Sequence, residues 1–342
     1  MLTGKGLFVN TFRLLFCASL GLFILVLASR SASASPGYLA IANQGDHTTL
    51  LVDLSSGKTL AKVEVGVNGH ELAVSPDGRF AYVPIYGNSG VGRPGTDGST
   101  IDIIDLRQRK LAGHIDLGKA VRPHCAKFGP GGLLYVSAEL ANAVYLVDVD
   151  FRKVVGEIPT GAPESHMLTI SPDGKRIYTA NVGAGSVSVL DLPKRSLVTV
   201  IPVATTVQRI SISPDGKYVF THDQREPRIA VIDTATNKIA GWIALPATVY
   251  SSTPTPDGRW LLANSPSGKL FVIDLRTRKV AQSYDIPKAI GEISITHDGS
   301  HAYISCPQAG SIQVLDLAAH KLDAPITLTR GVDGLSWFPA PR

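Results

Sequence analysis

From Gly37 onward the chain is a succession of apolar runs four or five residues long, separated by short polar segments rich in Gly, Pro, Asp and Ser. Residues 165–202 show the unit most clearly. Met167–Ile170, Ile177–Ala180, Ser186–Leu190 and Leu197–Ile201 are strand-length stretches rich in Val, Ile, Leu and Tyr. Such side chains fit a pleated, half-buried surface. No apolar stripe at helical spacing supports a helical solenoid. The interruptions recur too: Ser75-Pro76-Asp77-Gly78 returns at Ser171–Gly174 and Ser213–Gly216, with variants Gly129–Gly132, Thr255–Gly258 and Thr296–Gly299, at intervals of 41 or 42 residues from Pro130 on. An Asp closes an apolar run seven times, at Asp53, Asp105, Asp148, Asp191, Asp233, Asp274 and Asp316. Four short strands per unit of about 42 residues describe a propeller blade. The expected fold is therefore all-β, a seven-bladed β-propeller of four-stranded antiparallel blades.

The two ends of the pattern fit one another. Residues 37–66 contain three strand segments and no innermost strand before them, whereas Gly334–Phe338 stands in the innermost register with nothing following. The C-terminal strand should complete blade 1 and remove the unpaired sheet edges. Residues 35–342 then form a single propeller domain.

Residues 1–34 read differently. Lys5 and Arg13 precede an apolar run, Leu14–Ala28, followed by Ala32-Ser33-Ala34, which is the pattern of a cleaved signal peptide. The run is shorter than the roughly 20 residues of a membrane span, so a periplasmic or secreted protein with no transmembrane segment after cleavage is expected. Cys17 lacks the small preceding residue of a lipoprotein signal. The formal net charge of +5 includes three basic residues of this segment, Lys5, Arg13 and Arg30, leaving +2 for residues 35–342. That balance argues against a nucleic-acid partner, although one set of turns carries many cations, among them Arg107, Arg109, Arg152, Arg195 and Arg278. Cys125 and Cys306 fall in blades 3 and 7, too far apart around a ring to pair, so two free thiols are expected.

At Tyr178-Thr179-Ala180-Asn181 the sequence resembles the YVTN β-propeller family, and the likeness runs through all seven blades. The resemblance implies an exported seven-bladed propeller. Similar propellers include surface-layer proteins, lactonase-like enzymes and the β-chains of quinoprotein amine dehydrogenases, so the likeness speaks for the fold and leaves the chemistry open. A narrower likeness is to exported members whose inner strands read Pro-His-Glu, Arg-Pro-His and Ser-His-Met. The matching segments are Gly69-His70-Glu71, Arg122-Pro123-His124 and Ser165-His166-Met167.

Candidate chemistry gathers in that register. His70, His124 and His166 each stand six residues before the turn position of their blade, and Gln208, Tyr250, Gly291 and Asp333 continue the series. First residues of inner strands stand at the channel mouth. Three neutral imidazoles there suit zinc, copper or nickel with a coordination position left open. Without a metal, the trio could bind an anion at mildly acidic pH, since free His titrates near 6.5. Glu71, Tyr86, Arg122, Glu139 and Asn181 are the candidate ligand-binding neighbours, and the connection from Tyr86 to Thr100 lengthens blade 2 on the same face. The plain alternative is a polar funnel whose imidazoles meet water.

No Gly-x-Ser-x-Gly elbow, Cys-x-x-Cys-His, Walker loop or HExxH helix occurs. Two readings stay open: a binding propeller using the His-lined face for a small ligand, metal or protein partner, and a ring-site metal-dependent lactonase, hydrolase or redox accessory protein. Catalytic residues are not assigned. N-terminal sequencing of the exported protein should read Ser35 as the first residue; a start before Arg30, or a retained leader, would overturn the signal assignment.

Overall fold

The computed structural model describes residues 37–340 apart from Gly92; the expected signal peptide and its expected cleavage site lie outside the described residues. Seven sheets follow one another around the ring, each ordered from an inner to an outer strand. In blade 4 the strands are Ser165–Ile170, Arg176–Asn181, Ser186–Asp191 and Ser196–Pro202. Blade 1 takes its inner strand, Val332–Pro339, from the C-terminus, where it pairs antiparallel with Gly37–Asn43. Tyr38 faces Phe338 and Ile41 faces Leu335 in that register. The Tyr38 and Phe338 rings touch at a centroid distance of 5.5 Å.

The recurring tetrapeptide is the inner hairpin turn. The hydroxyl of Ser75 donates to Asp77 Oδ1 at 2.6 Å and accepts from the Phe80 N–H at 2.9 Å. Ser171 and Ser213 repeat both bonds to Asp173 and Asp215, and Thr255 and Thr296 repeat them to Asp257 and Asp298. Gly78, Gly174, Gly216, Gly258 and Gly299 hold φ near +70° there, a conformation glycine adopts at little cost. The seven Asp residues close the third-to-fourth-strand turns: Asp105 Oδ1 accepts from the N–H groups of Arg107 and Gln108 at 2.9 and 2.8 Å, and its six counterparts also accept turn N–H groups.

In those outer turns the left-handed position is taken by Gly57, Arg109, Arg152, Arg195, Asn237, Arg278 and His320. A non-glycine residue there costs roughly 1 kcal/mol. Three of the arginines reach across to the preceding blade. Arg152 Nη2 donates to Ala112 O at 3.4 Å, and Arg278 lies over the Tyr218 ring at 5.3 Å from its centroid; Arg195 Nη1 lies against Gly156. Three of the cations on this face therefore bridge neighbouring blades.

The apolar core lies between blades. One cluster joins Tyr135 and Val144 of blade 3 to Leu168 and Tyr178 of blade 4 and Val207 and Val219 of blade 5. Cys125 and Cys306 are both buried free thiols. Blade 2 departs from the expected long loop: its second and third strands extend to Phe80–Gly87 and Asp97–Asp105, paired as far as Gly87 with Asp97 beyond a bulge. The outer strand of blade 7 is split into Lys321–Leu322 and Ile326–Thr327, because Pro325 has no N–H to give the ladder. Among the described residues no helix is long and apolar enough to cross a membrane.

Deleting residues 334–342 removes most of the strand that pairs with Gly37–Asn43. Since about 1 kcal/mol moves the melting temperature of a large domain by roughly 2–4 °C, the loss of a whole inner strand should lower it by more than about 10 °C or cause aggregation. A truncated monomer melting with the full chain would overturn ring closure.

Candidate functional site

The residue two before each histidine is in the left-handed region: Asn68 at φ 62°, Arg122 at 51° and Glu164 at 53°. Strain at three equivalent positions places the next residues of three inner strands at the same height on the channel wall, and strain of this kind concentrates at functional sites. His124 and His166 begin the inner strands of blades 3 and 4 and are buried. His70 precedes the short inner strand Ala73–Val74 of blade 2. The three rings meet. His124 and His166 overlap at a centroid distance of 3.6 Å, and His70 meets His124 edge-on at 4.7 Å.

The hydrogen bonds fix the tautomers. His70 Nδ1 lies 3.1 Å from the carbonyl of Asn68, so it carries the proton and Nε2 is a lone pair. His124 Nε2, 2.9 Å away, must therefore donate to it. That leaves His124 Nδ1 as a bare lone pair, and this buried nitrogen has no partner. His166 Nε2 accepts from the amide of Gln208 at 3.0 Å, and its Nδ1–H donates to Glu139 Oε1. Glu139 is completely buried at the end of a blade 3 strand. Its other oxygen accepts from the Tyr86 hydroxyl at 2.8 Å and lies 3.6 Å from Arg122 Nη1. Arg122 also meets Asp97 at 2.9 Å and Glu164 at 3.8 Å.

Donor atoms of His124, Glu139 and His166 all lie within 4.8 Å of one another. Ligands on one metal at about 2.0–2.1 Å lie within roughly 4 Å of each other, so small side-chain rotations would close this set around an ion. Glu139 thus stands in the donor set where His70 was expected, and His70 becomes the hydrogen-bond partner that aims His124. Such outer partners orient metal-binding imidazoles. Burial pushes His70 down to about 3 and His124 well below the ordinary imidazole range. Both stay neutral at mildly acidic pH, which removes the expected role of the trio as a proton-charged anion site. Burial, with the Glu139 carboxylate beside it, pushes the Tyr86 phenol upward.

Two expected neighbours are elsewhere. Asn181 accepts from Ser165 and Thr179 and donates to Ser186 and Ser188 inside blade 4, so its amide is spent on that sheet. Glu71 turns to Arg209, whose Nη1 is 2.7 Å from its carboxylate. Asp97, Glu164 and Gln208 were not among the expected site residues. Gln208 shares the histidine register, which was signal enough; Asp97 arrives only through the extended blade 2 hairpin.

The family model described as lactonase, seven-bladed β-propeller matches residues 66–240. The seven-bladed β-propeller protein Rv1057 of Mycobacterium tuberculosis is 29% identical over 135 residues, covering 36% of this chain and 29% of that protein. The chain thus spans under a third of that relative's length. Among solved structures, Kuenenia stuttgartiensis hydrazine synthase superposes with a TM-score of 0.70 at 19% identity, over 86% of this chain and 99% of that one. A functionally unknown protein from Desulfotomaculum acetoxidans gives 0.74 at 12% identity, over 89% and 100%. At these identities the superpositions speak for the fold alone.

Since the native imidazole of His70 titrates far below its unfolded value of about 6.5, the unfolded chain binds the extra proton. Stability is then complete above about pH 6.5 and falls as pH drops toward 3. The slope approaches about 1.4 kcal/mol per pH unit for each such histidine. Ring-nitrogen NMR of the metal-free protein should find His70 and His124 neutral at pH 5; a midpoint near 6.5 for either would overturn the burial argument.

Proposed function

The chain belongs to the seven-bladed β-propeller lactonase family, and from that premise we propose that it is an exported propeller that binds a divalent transition-metal ion through His124, Glu139 and His166. The observation that carries this reading is the bare, buried Nδ1 of His124, held beside the donor atoms of Glu139 and His166. A buried lone pair without a donor is costly, and a nitrogen-rich donor set with one carboxylate suits zinc, copper or nickel. His70 keeps His124 in the tautomer that exposes this lone pair. Tyr86 and Arg122 hold the Glu139 carboxyl in position. When bound, the ion would supply a Lewis-acid centre.

Turnover is the second reading, favoured by the family and by the three protein ligands, which leave a coordination position free for water or substrate. A metal-dependent lactonase or hydrolase would use Arg122 and Tyr86 to orient an oxygen-bearing substrate. A protein partner or a redox role would use the same face. Export rests on the leader pattern of residues 1–34.

Calorimetry with zinc, copper and nickel should find one high-affinity ion per chain. His124→Ala should weaken it at least about 100-fold, and Tyr86→Phe, acting through Glu139, about 10-fold. Wild-type affinity in His124→Ala would overturn the site. Activity on a lactone panel that disappears with chelator would select turnover over binding.

A further inference from the structure

Blade 7 departs from the other blades at two positions, and the departures meet. Seven residues after the Asp that ends the third strand, six blades carry an apolar side chain: Leu60, Ala112, Val155, Val198, Ala240 and Ala281. Blade 7 carries Asp323 there. The residue facing that third-strand Asp across the sheet is Tyr38, Phe80, Arg176, Tyr218 or Trp260 in five blades. In blade 7 it is His301, directly opposite Asp316. Cross-strand partners share one face of a sheet, so an imidazole and a carboxylate stand side by side where the repeat elsewhere carries a ring or an arginine. Ligand atoms of His301, Asp316 and Asp323 all lie within 4.8 Å of one another.

All three side chains have binding capacity left. The Ser300 hydroxyl donates to Asp298 Oδ1 at 2.8 Å, so its oxygen accepts from His301 Nδ1–H at 2.9 Å. His301 Nε2 is then a lone pair, and this buried nitrogen has no partner. The residue is 2% exposed, and a buried acceptor left without a donor is costly. Asp316 spends Oδ1 on the N–H groups of Ala318 and Ala319 at 2.9 and 2.8 Å; among the described residues no hydrogen bond reaches its Oδ2. Asp323 is fixed through its backbone, whose N–H donates to Val314 O at 2.9 Å, and its side chain is exposed. In blade 4 the same place is served by Arg176, which gives Asp191 a cation at 2.7 Å. In blade 7 it holds two carboxylates and an imidazole lone pair, and among the described residues no ion pair joins them to one another or to Lys321, which lies opposite Asp316.

We propose that blade 7 binds a second divalent transition-metal ion, with zinc the best fit, through His301 Nε2, Asp316 and Asp323. One imidazole and two carboxylates suit zinc at about 2.0–2.2 Å. A nitrogen ligand disfavours calcium and magnesium, which take oxygen. Ligands on one such ion lie within roughly 4 Å of each other, so small rotations, chiefly of the exposed Asp323 side chain, would close the set. Ser300 orients His301 as outer partners orient metal-binding imidazoles. The ion acts as a staple: its ligands come from the second strand, the third strand and the break between Lys321–Leu322 and Ile326–Thr327, so it ties the interrupted outer strand to its sheet. With one nitrogen and one exposed ligand, this site holds zinc more weakly than the donor set at the channel mouth. It shares no residue with that set and stands independently of it.

Zinc calorimetry on the full chain carrying His124→Ala, which disables the channel-mouth site, isolates the second one. One ion per chain should bind, and zinc at about a hundredfold excess over its dissociation constant should raise the melting temperature by about 5 °C or more. Adding Asp323→Ala, the side chain of blades 2, 5 and 6, should weaken zinc at least about tenfold and abolish that shift, since loss of an outer partner alone costs this much. His301→Phe, the side chain of blade 2, should do the same. In the unaltered chain Asp323→Ala should remove only the weaker binding event and His124→Ala only the tighter one, which tells the two sites apart. No zinc bound at about 0.1 mM, affinity unchanged by Asp323→Ala, or displacement of zinc by equimolar magnesium would overturn the proposal. Should His301→Phe fail to fold, Asp323→Ala decides alone.

Discussion

The ring depends on one antiparallel pairing, Val332–Pro339 with Gly37–Asn43. Each blade buries its apolar side chains against the next, so an open ring would leave two faces and two sheet edges in water. Pairing the chain ends fixes the number of blades and the diameter of the channel together. Everything at the channel follows from that closure. Asp333 and Gly334 lie on the closing strand, and Gly334 donates its N–H to the carbonyl of His70 at 2.9 Å. The closing strand thus fixes the backbone that carries the first histidine.

Given a closed ring, the repeat itself builds the site. The inner strands start at the same height because their hairpin turns are the same hydroxyl, Asp and Gly device, and because Asn68, Arg122 and Glu164 take the same left-handed conformation. Replication has a physical consequence: a side chain placed once at the mouth is placed on every blade at the spacing of the ring. Histidines on three adjacent blades then come within contact of one another without any local motif. Arg122 shows how economical this is, since one residue supplies both the strained turn and the cation beside the buried Glu139.

Fold and register were legible in the sequence because both are periodic, and period survives drift: Ile85, Ala138 and Cys306 replace the Asn of the repeat without disturbing the sheet. The equivalence of His70, His124 and His166 was legible for the same reason. What pairs with what was not. Glu71 follows His70 directly, yet it turns away from the three imidazoles and meets Arg209 from blade 5. Asn181 looked like a neighbour of the mouth because it ends a strand there, but Ser165, Ser186 and Ser188 offered it nearer partners within its own sheet. The Tyr86–Thr100 connection read as a loop because of its glycines; pairing beyond a bulge extends the strands at both of its ends, leaving residues 88–96 as the loop, and delivers Asp97 to Arg122.

Charge balance bears on what the histidine site can hold. Around Arg122 stand Asp97, Glu139 and Glu164, three carboxylates to one guanidinium. Burial keeps His70 and His124 neutral, so neither offsets the excess. Asp97 and Glu164 are partly exposed and water can screen them, but Glu139 is wholly inside, where an uncompensated carboxylate is expensive. A divalent cation at the proposed site would offset the excess, with His166 exchanging one of its two hydrogen bonds, to Glu139 or to Gln208, for a bond to the ion. It would supply two positive charges where the buried Glu139 carboxylate and the unpartnered His124 nitrogen converge. Donor geometry and net charge are separate properties of the site, and a divalent cation would satisfy both.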